Sequence, residues 1–261
     1  SLTAIAEAFL NEDALKKWLD KYPDIHVVPK KVGLILAGNI PLVGFHDVLT
    51  VFLSGHQALI KLSDKDKFLL PFLISKLTEF NGAYTPSFEL VERMEDYDAV
   101  IATGSNASGT YFEKYFSHVP HIIRKNRNAV AILFNDTSEA NLTHLGADVF
   151  DYYGLGCRNV SKLFLEKGFD ISRIFRAFEK YKDVMHHNKY MNNYDYNNAM
   201  FLLNNEAFLT NNFVILKEDE DIASRIATIH YSYFESSADL TGLLQKQKEK
   251  ISRGRARPGM A

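Results

Sequence analysis

Residues Lys30–Pro41 read KKVGLILAGNIP, an apolar run from Val32 to Ala37 that stops at Gly38-Asn39 and then at a proline. A short apolar run closed by turn residues is the pattern of a strand buried on both faces. The next segments decide how that strand is used. Gly44–His56, GFHDVLTVFLSGH, places Phe45, Val48, Leu49 and Phe52 on one helical face, and Gly55 suits the C-terminal end. Ala58–Asp66, ALIKLSDKD, is a second short apolar run with a polar exit. Strand, helix and strand in this order imply a parallel βαβ unit.

The pattern extends in both directions. Upstream, TAIAEAFLNEDALKKWLDKY spaces Ile5, Ala8, Phe9, Leu15, Trp18 and Leu19 as one or two helices. Downstream, KFLLPFLISKLTEF predicts a second helix with Pro71 inside its first turns, and FELVER a short strand. YDAVIATGSNASGTYFEKYFSH reads as strand, Gly/Ser turn and helix. Around Pro120 the texture changes, and HIIRKNRNAVAILFND predicts two extended segments. SEANLTHLGADVFDYYGLG predicts a helix from Ser138 that ends in glycines. KLFLEKG, FVILKEDE and ATIHYSYF predict strands, with helices over DISRIFRAFEKYKDVM and ADLTGLLQKQKEKI. The expected fold class is therefore α/β.

Composition removes several function classes. The chain of 261 residues is 46% hydrophobic and carries a net charge of −2, which excludes disorder and gives no electrostatic case for nucleic acid. No run is long and apolar enough to predict a membrane span. A single cysteine without a disulfide framework predicts a reducing, cytoplasmic setting. The closing SRGRARPGMA is expected to be disordered or foreign to the fold. The nine histidines form no metal-ligand spacing, so no metal is expected.

That one cysteine stands in FDYYGLGCRNV, Phe150–Val160. A structural cysteine usually hides inside a periodic apolar face. Cys157 instead follows Gly-Leu-Gly, a turn that leaves little cover, and Arg158 beside it could favour thiolate. Reactive thiol and small buried hydrophobe both remain open on the residues alone. Gly104-Ser105 ends a strand and opens a helix with Gly109 inside it, where free N–H groups suit a phosphate. An ordinary strand–helix turn explains the same residues. Asn39 could aim an amide above the sheet or bond its own backbone, and Lys61 could meet a phosphate or only solvent. The run Arg124–Asn128 could anchor phosphates or be a solvated cluster. HHNKYMNNYDYNNAM could line a polar site or form an exposed loop.

The order of these motifs says more than any one of them. AGNIP, LIKLSDKD, TGSNASG, AVAILFNDTSEANL and YYGLGC resemble, in that order, the aldehyde dehydrogenase superfamily. That family shows an Asn-x-Pro turn, a lysine ending the next strand, Gly-Ser-x-x-x-Gly, and a catalytic cysteine after a glycine-containing turn. GNIPLVGFHDVL, IATGSN, HIIRKNRN, GLGCRNVSKL and NNYDYN look more closely like its acyl-CoA reductase branch, the bacterial luminescence type of fatty-acyl reductase. The resemblance covers roughly residues 14 to 245.

It implies a Rossmann-like parallel-sheet cofactor lobe and a second α/β lobe carrying the cysteine. The expected division is an N-terminal helical segment over 1–25, a cofactor lobe over 26–124, a catalytic lobe over 125–250 and a tail over 251–261. It implies Cys157 as nucleophile, with Asn39 and the Cys157 backbone N–H as oxyanion donors. Lys61, Ser63, Gly104, Ser105 and Gly109 would lie along NADPH (or NADH). The substrate would be an acyl-CoA, and superfamily habit implies a homo-oligomer. The Glu-Leu-Gly-Gly stretch of acid-forming members is replaced here by IIRKNRN, which suits a reductase whose acyl-enzyme must not be hydrolysed. Two alternatives accompany this reading: a reductase of acyl phosphates of the glutamyl-phosphate type, and a truncated, non-catalytic cofactor-binding member of the fold. A cysteine hydrolase ranks last, since no histidine can be nominated as base.

Overall fold

A computed structural model describes residues 2–22, 28–156 and 158–251. The chain divides into two compact units, Ser1–Lys125 and Asn126–Ala261. The closing tail after residue 251 lies outside the described residues.

The first unit opens with α1 (Leu2–Phe9) and α2 (Glu12–Leu19). Asn11 caps α2 by accepting the Ala14 N–H at 2.9 Å, and Glu12 and Asp13 complement its dipole. Then β1 (Lys31–Ile35), α3 (Phe45–Leu53), β2 (Gln57–Lys61), α4 (Leu69–Phe80) and β3 (Phe88–Leu90) follow as the sequence predicts. Pro71 falls in the first turn of α4, where a missing N–H costs nothing. After β4 (Ala99–Thr103), α5 (Asn106–Tyr115) and β5 (His121–Arg124), the sheet order is β3-β2-β1-β4-β5, parallel throughout.

Both faces of this sheet are covered, which is why its strands read as unbroken apolar runs. Val32, Leu34, Ala58 and Ile60 pack with Val48, Val51 and Leu70 of α3 and α4. Val100 and Ala102 pack with Phe112 and Phe116 at the α5 end, together with Ile35 and Met94. Met94 belongs to the eight residues, 91–98, that cross from β3 to β4 without a helix. It lies on Gly33, where an added Cβ would stand 2.5 Å from the Met94 sulfur.

The second unit contains β6 (Ala129–Leu133), α6 (Glu139–Phe150), β7 (Val160–Glu166), α7 (Ser172–Phe178), α8 (Asn188–Leu203), β8 (Leu209–Thr210), β9 (Ile215–Glu218), β10 (Thr228–Phe234) and α9 (Ser237–Lys246). Its sheet order is β6-β7-β10-β9-β8, parallel except for the antiparallel β8. Leu163, Leu165, Ile229 and Phe178 are almost fully buried in its main core. The two extended segments expected in HIIRKNRNAVAILFND are β5 and β6, and they belong to different sheets.

Two local readings change. HHNKYMNNYDYNNAM is neither loop nor polar lining: most of it is α8, whose buried stripe is Tyr190, Tyr194, Asn197 and Phe201. Each polar group on that stripe finds a partner. Tyr190 Oη donates to the Phe213 carbonyl at 2.9 Å, Tyr194 Oη meets Thr210 Oγ1 at 2.9 Å, and Asn197 Nδ2 donates to the Ile226 carbonyl at 2.8 Å. The helix beginning at Ser138 ends at Phe150, before the glycines.

The α9 side of the second sheet holds an unusual row. Lys217, His230 and Lys162 pair across β9, β10 and β7, so they share one face. Lys162 is fully buried, its Nζ donating to the Asp219 carbonyl and standing 5.4 Å from the centre of the Phe164 ring. Burial pushes its ammonium down to about 8, against the attraction of Asp219, Glu220, Asp221 and Glu218. His230 Nδ1 donates to the Asp221 carbonyl at 2.9 Å.

Candidate active site

In the first unit, the carboxyl ends of β1, β2 and β4 share one edge because the strands are parallel in register. The strand order reverses at β1/β4, the crevice where open α/β sheets bind ligands. Apart from Gly109, the first-unit residues singled out in the sequence stand on or near this edge. Asn39 lies in the turn after β1, half-buried and engaged in a contact of its own. Gly38 before it packs on the exit of β2, since a Cβ there would meet Ser63 Oγ at 2.4 Å. Asp66 ties the two loops together by accepting the Leu42 N–H at 2.8 Å, at a position where Leu42 has a φ of 56°.

Lys61 ends β2 and donates through Nζ to the Glu92 carbonyl. Ser63 is half-buried, and Asp64 is paired with Lys67 at 2.7 Å. Lys65, which the sequence did not mark, is exposed beside Gly38 and has no ion pair among the described residues. Gly104 follows β4 and donates its N–H to the Arg124 carbonyl at 3.1 Å. Ser105 caps α5 by accepting the Ser108 N–H at 3.1 Å. Gly109 stands apart: it is buried under the stem of Lys125, with Lys125 Cγ 2.5 Å from where a Cβ would sit.

Two members of the basic run at the end of β5, Arg124 and Lys125, are engaged in ion pairs. Arg124 Nη1 donates to both oxygens of the buried Asp47 at 2.5 Å. Burial opposes ionisation of Asp47, yet hydrogen bonds from His46 and Arg124 outweigh it and hold the carboxyl below its ordinary range. Lys125 pairs with Glu113 at 2.8 Å.

In the second unit, the segment between α6 and β7 carries the cysteine. Cys157 itself lies outside the described residues. Tyr152, Tyr153 and Gly154 have φ of 53°, 57° and 72°, a left-handed turn that costs about 1–2 kcal/mol for each tyrosine. Part of that cost is offset by stacking: the Tyr153 ring lies 3.6 Å from the His187 ring at 13°. His187 in turn caps α8 by accepting the Tyr190 N–H at 3.2 Å. Asn159 Nδ2 points back to the carbonyls of Asp148, Val149 and Asp151 at 3.0, 3.0 and 2.9 Å. Among the described residues no group of three or more histidine, cysteine or acidic side chains could hold a metal, and no helix is long and apolar enough to cross a membrane.

The sequence model of the family described as Acyl-CoA reductase (LuxC) matches residues 4–172, well over half of the chain. The chain belongs to the LuxC acyl-CoA reductase family. The fold of this LuxC-family chain is that of the aldehyde dehydrogenases. It superposes on an indole-3-acetaldehyde dehydrogenase bound to NAD+ with a TM-score of 0.70 and 15% identity, covering 88% of this chain and 59% of that one. KauB from Pseudomonas aeruginosa gives 0.68 and 16%, covering 88% and 59%. An NAD-dependent aldehyde dehydrogenase from Sinorhizobium meliloti gives 0.67 and 16%, covering 82% and 52%. The chain thus spans between half and three-fifths of the length of these proteins. No curated protein matches it.

Proposed function

We propose that this LuxC-family chain carries the reducing centre of an NAD(P)H-dependent acyl-CoA reductase, which converts a thioester to a fatty aldehyde through an acyl group on Cys157. The observation that carries the reading is the setting of the only cysteine. It falls inside the family-matched span, two residues before Asn159, whose side-chain amide is fastened to the end of α6.

The donor set at the first unit's edge fits a dinucleotide. The Asn106 and Ala107 N–H groups at the start of α5 have no hydrogen-bond partner among the described residues, as the first turn of a helix leaves them. With the Ser105 and Ser63 hydroxyls and the Lys61 ammonium, they supply donors suited to phosphate and ribose oxygens. Gly109, sealed under Lys125, acts in this reading by letting α5 pack closely rather than by touching the cofactor. NADPH or NADH, when bound, supplies the hydride.

The chain's own part is acyl transfer and release. The Cys157 thiolate attacks the thioester carbonyl carbon, and the charge that develops on oxygen is met by the Asn39 amide and the Cys157 backbone N–H, the donors the family resemblance assigns. The C–S bond to CoA breaks, CoA departs as its thiolate, and the acyl group remains on sulfur. After reduction at the acyl carbon, the tetrahedral oxyanion collapses and expels the Cys157 thiolate, freeing aldehyde. No glutamate stands in the IIRKNRN segment to activate water against the acyl-enzyme.

Intact mass after mixing with a mid-chain acyl-CoA, without reductant, tests the reading. The chain gains one acyl mass and Cys157→Ala gains none. Asn39→Ala slows acylation by about 10²–10³, the usual effect of losing one oxyanion donor. A folded wild-type chain that takes up no acyl group refutes the assignment.

A further inference from the structure

The question left by the GLGCRN turn is what holds it, and the answer is Asn159. Its backbone N–H donates to the Gly156 carbonyl at 3.1 Å, tying together the two described residues that bracket Cys157 and Arg158 in the sequence. Its side-chain amide then donates to the carbonyls of Asp148, Val149 and Asp151. The first two belong to the last turn of α6, among the carbonyls that a helix end leaves without intrahelical donors. Two amide hydrogens serve three acceptors, so the orientation is over-determined: a flipped amide would place oxygen against all three.

The same residue explains the second glycine. A Cβ on Gly156 would stand 2.4 Å from Asn159 Oδ1, so the side chain closes down on a residue that must have none. Asn159 is half-buried at the mouth of β7, immediately before a strand whose core positions are fixed. One residue therefore joins the elements around the cysteine: its side chain to the end of α6 and to Asp151, its backbone N–H to Gly156, just before β7 begins.

We infer that Asn159 is a positioning residue for the acyl transfer, fixing the turn that presents Cys157 while touching neither substrate nor cofactor. The inference rests on the reductase reading for its catalytic meaning and on the four hydrogen bonds for its structural one. A reacting group displaced by about 1 Å loses on the order of 10²-fold in rate, which sets the size of the effect.

The test uses Asn159→Ser, which deletes the amide without adding charge, and Asn159→Asp, which puts an acceptor where the three carbonyls need a donor. Acylation of Cys157 is followed by stopped-flow mass measurement across acyl-CoA concentrations. Labelling by iodoacetamide is followed in parallel; with one cysteine in the chain, it reports on that thiol alone. In Asn159→Ser, the saturating acylation rate falls about 10²-fold, while half-saturation and iodoacetamide labelling change by less than about threefold. Amide hydrogen exchange in 151–160 speeds up while α7 and α8 keep their protection. Acylation at the wild-type rate overturns the inference. So does a parallel loss of acylation, saturation and protection throughout the second unit, which marks a merely structural residue. If Asn159→Ser does not fold, the same criteria apply to Asn159→Asp. A wild-type chain that forms no acyl adduct refutes the reductase reading and the catalytic meaning with it, and the exchange arm still decides whether Asn159 holds the turn.

Discussion

Replacing Lys162 with methionine should make the second unit more stable, and by an amount that depends on pH. The ammonium lies fully buried on β7 with one carbonyl partner, and its proton affinity is lowered to about 8 from the ordinary 10.5. Between those values the unfolded chain holds a proton that the folded chain has released. Stability therefore rises with pH across this interval, and the full penalty is carried below about pH 8. At about 1.4 kcal/mol per tenfold change in proton affinity, the penalty is about 3 kcal/mol at neutral pH. Methionine fills a similar unbranched volume but gives up the hydrogen bond to Asp219 and the contact with the Phe164 ring, which return about 1–2 kcal/mol. Lys162→Met should thus gain about 1–2 kcal/mol at pH 7 and lose that gain by about pH 10. Trp18 sits in the first unit, so its fluorescence reports on the wrong half of the chain. Urea unfolding followed by far-ultraviolet circular dichroism, at several pH values between 7 and 10, is the suitable assay. A difference between variant and wild type that stays constant with pH would refute the reasoning.

Arg124→Met leaves the buried Asp47 carboxylate with only His46 beside it, and should cost about 1–3 kcal/mol at pH 7, less than for a fully buried pair because Arg124 is partly exposed. Because the Asp47 carboxyl is held low, the pair stabilises above the usual carboxylate range and fades as pH falls below it; urea midpoints for the two proteins should draw together as the pH is lowered through that range. Gly146→Ala in α6 places a Cβ 2.1 Å from the Tyr181 ring, which is pinned by stacking on Phe150 and by its hydroxyl on the Thr143 carbonyl. The helix-propensity gain of about 1 kcal/mol is outweighed, and a net loss of about 1–3 kcal/mol should appear as a lower melting temperature.

The parallel sheets were legible because strands covered on both faces cannot hide their apolar runs: Val32–Ala37 and Ala58–Lys61 announce β1 and β2 to within about two residues. Helix starts at Ser105 and Ser138 were legible because a hydroxyl before a helix has one main use, and both accept an N–H three residues on. What stayed hidden depends on partners remote in sequence. The buried stripe of α8 is made of tyrosines and asparagine whose polarity is cancelled only by Phe213, Thr210 and Ile226. Helix α6 stops at Phe150, where Asp151 turns extended with a ψ of 138°, and Tyr152 and Tyr153 then take the left-handed conformation against their own preference, ahead of Gly154. Asn159 looked like one more polar residue after the cysteine, since nothing in GLGCRNV says that its amide turns back to α6.

The place of β10 in the second sheet has a consequence for how the chain is made. In the first unit the central strand, β1, is the earliest, so each later strand has an edge to join as it appears. In the second unit β10 lies between β7 and β9 yet is the last strand among the described residues. Until Thr228–Phe234 leaves the ribosome, β6 and β7 form one ribbon, β8 and β9 another, and the apolar inner edges of both stand bare. The unit that carries the cysteine is therefore the half most in need of protection by a chaperone during synthesis, and it closes only after the first unit has been complete for about a hundred residues.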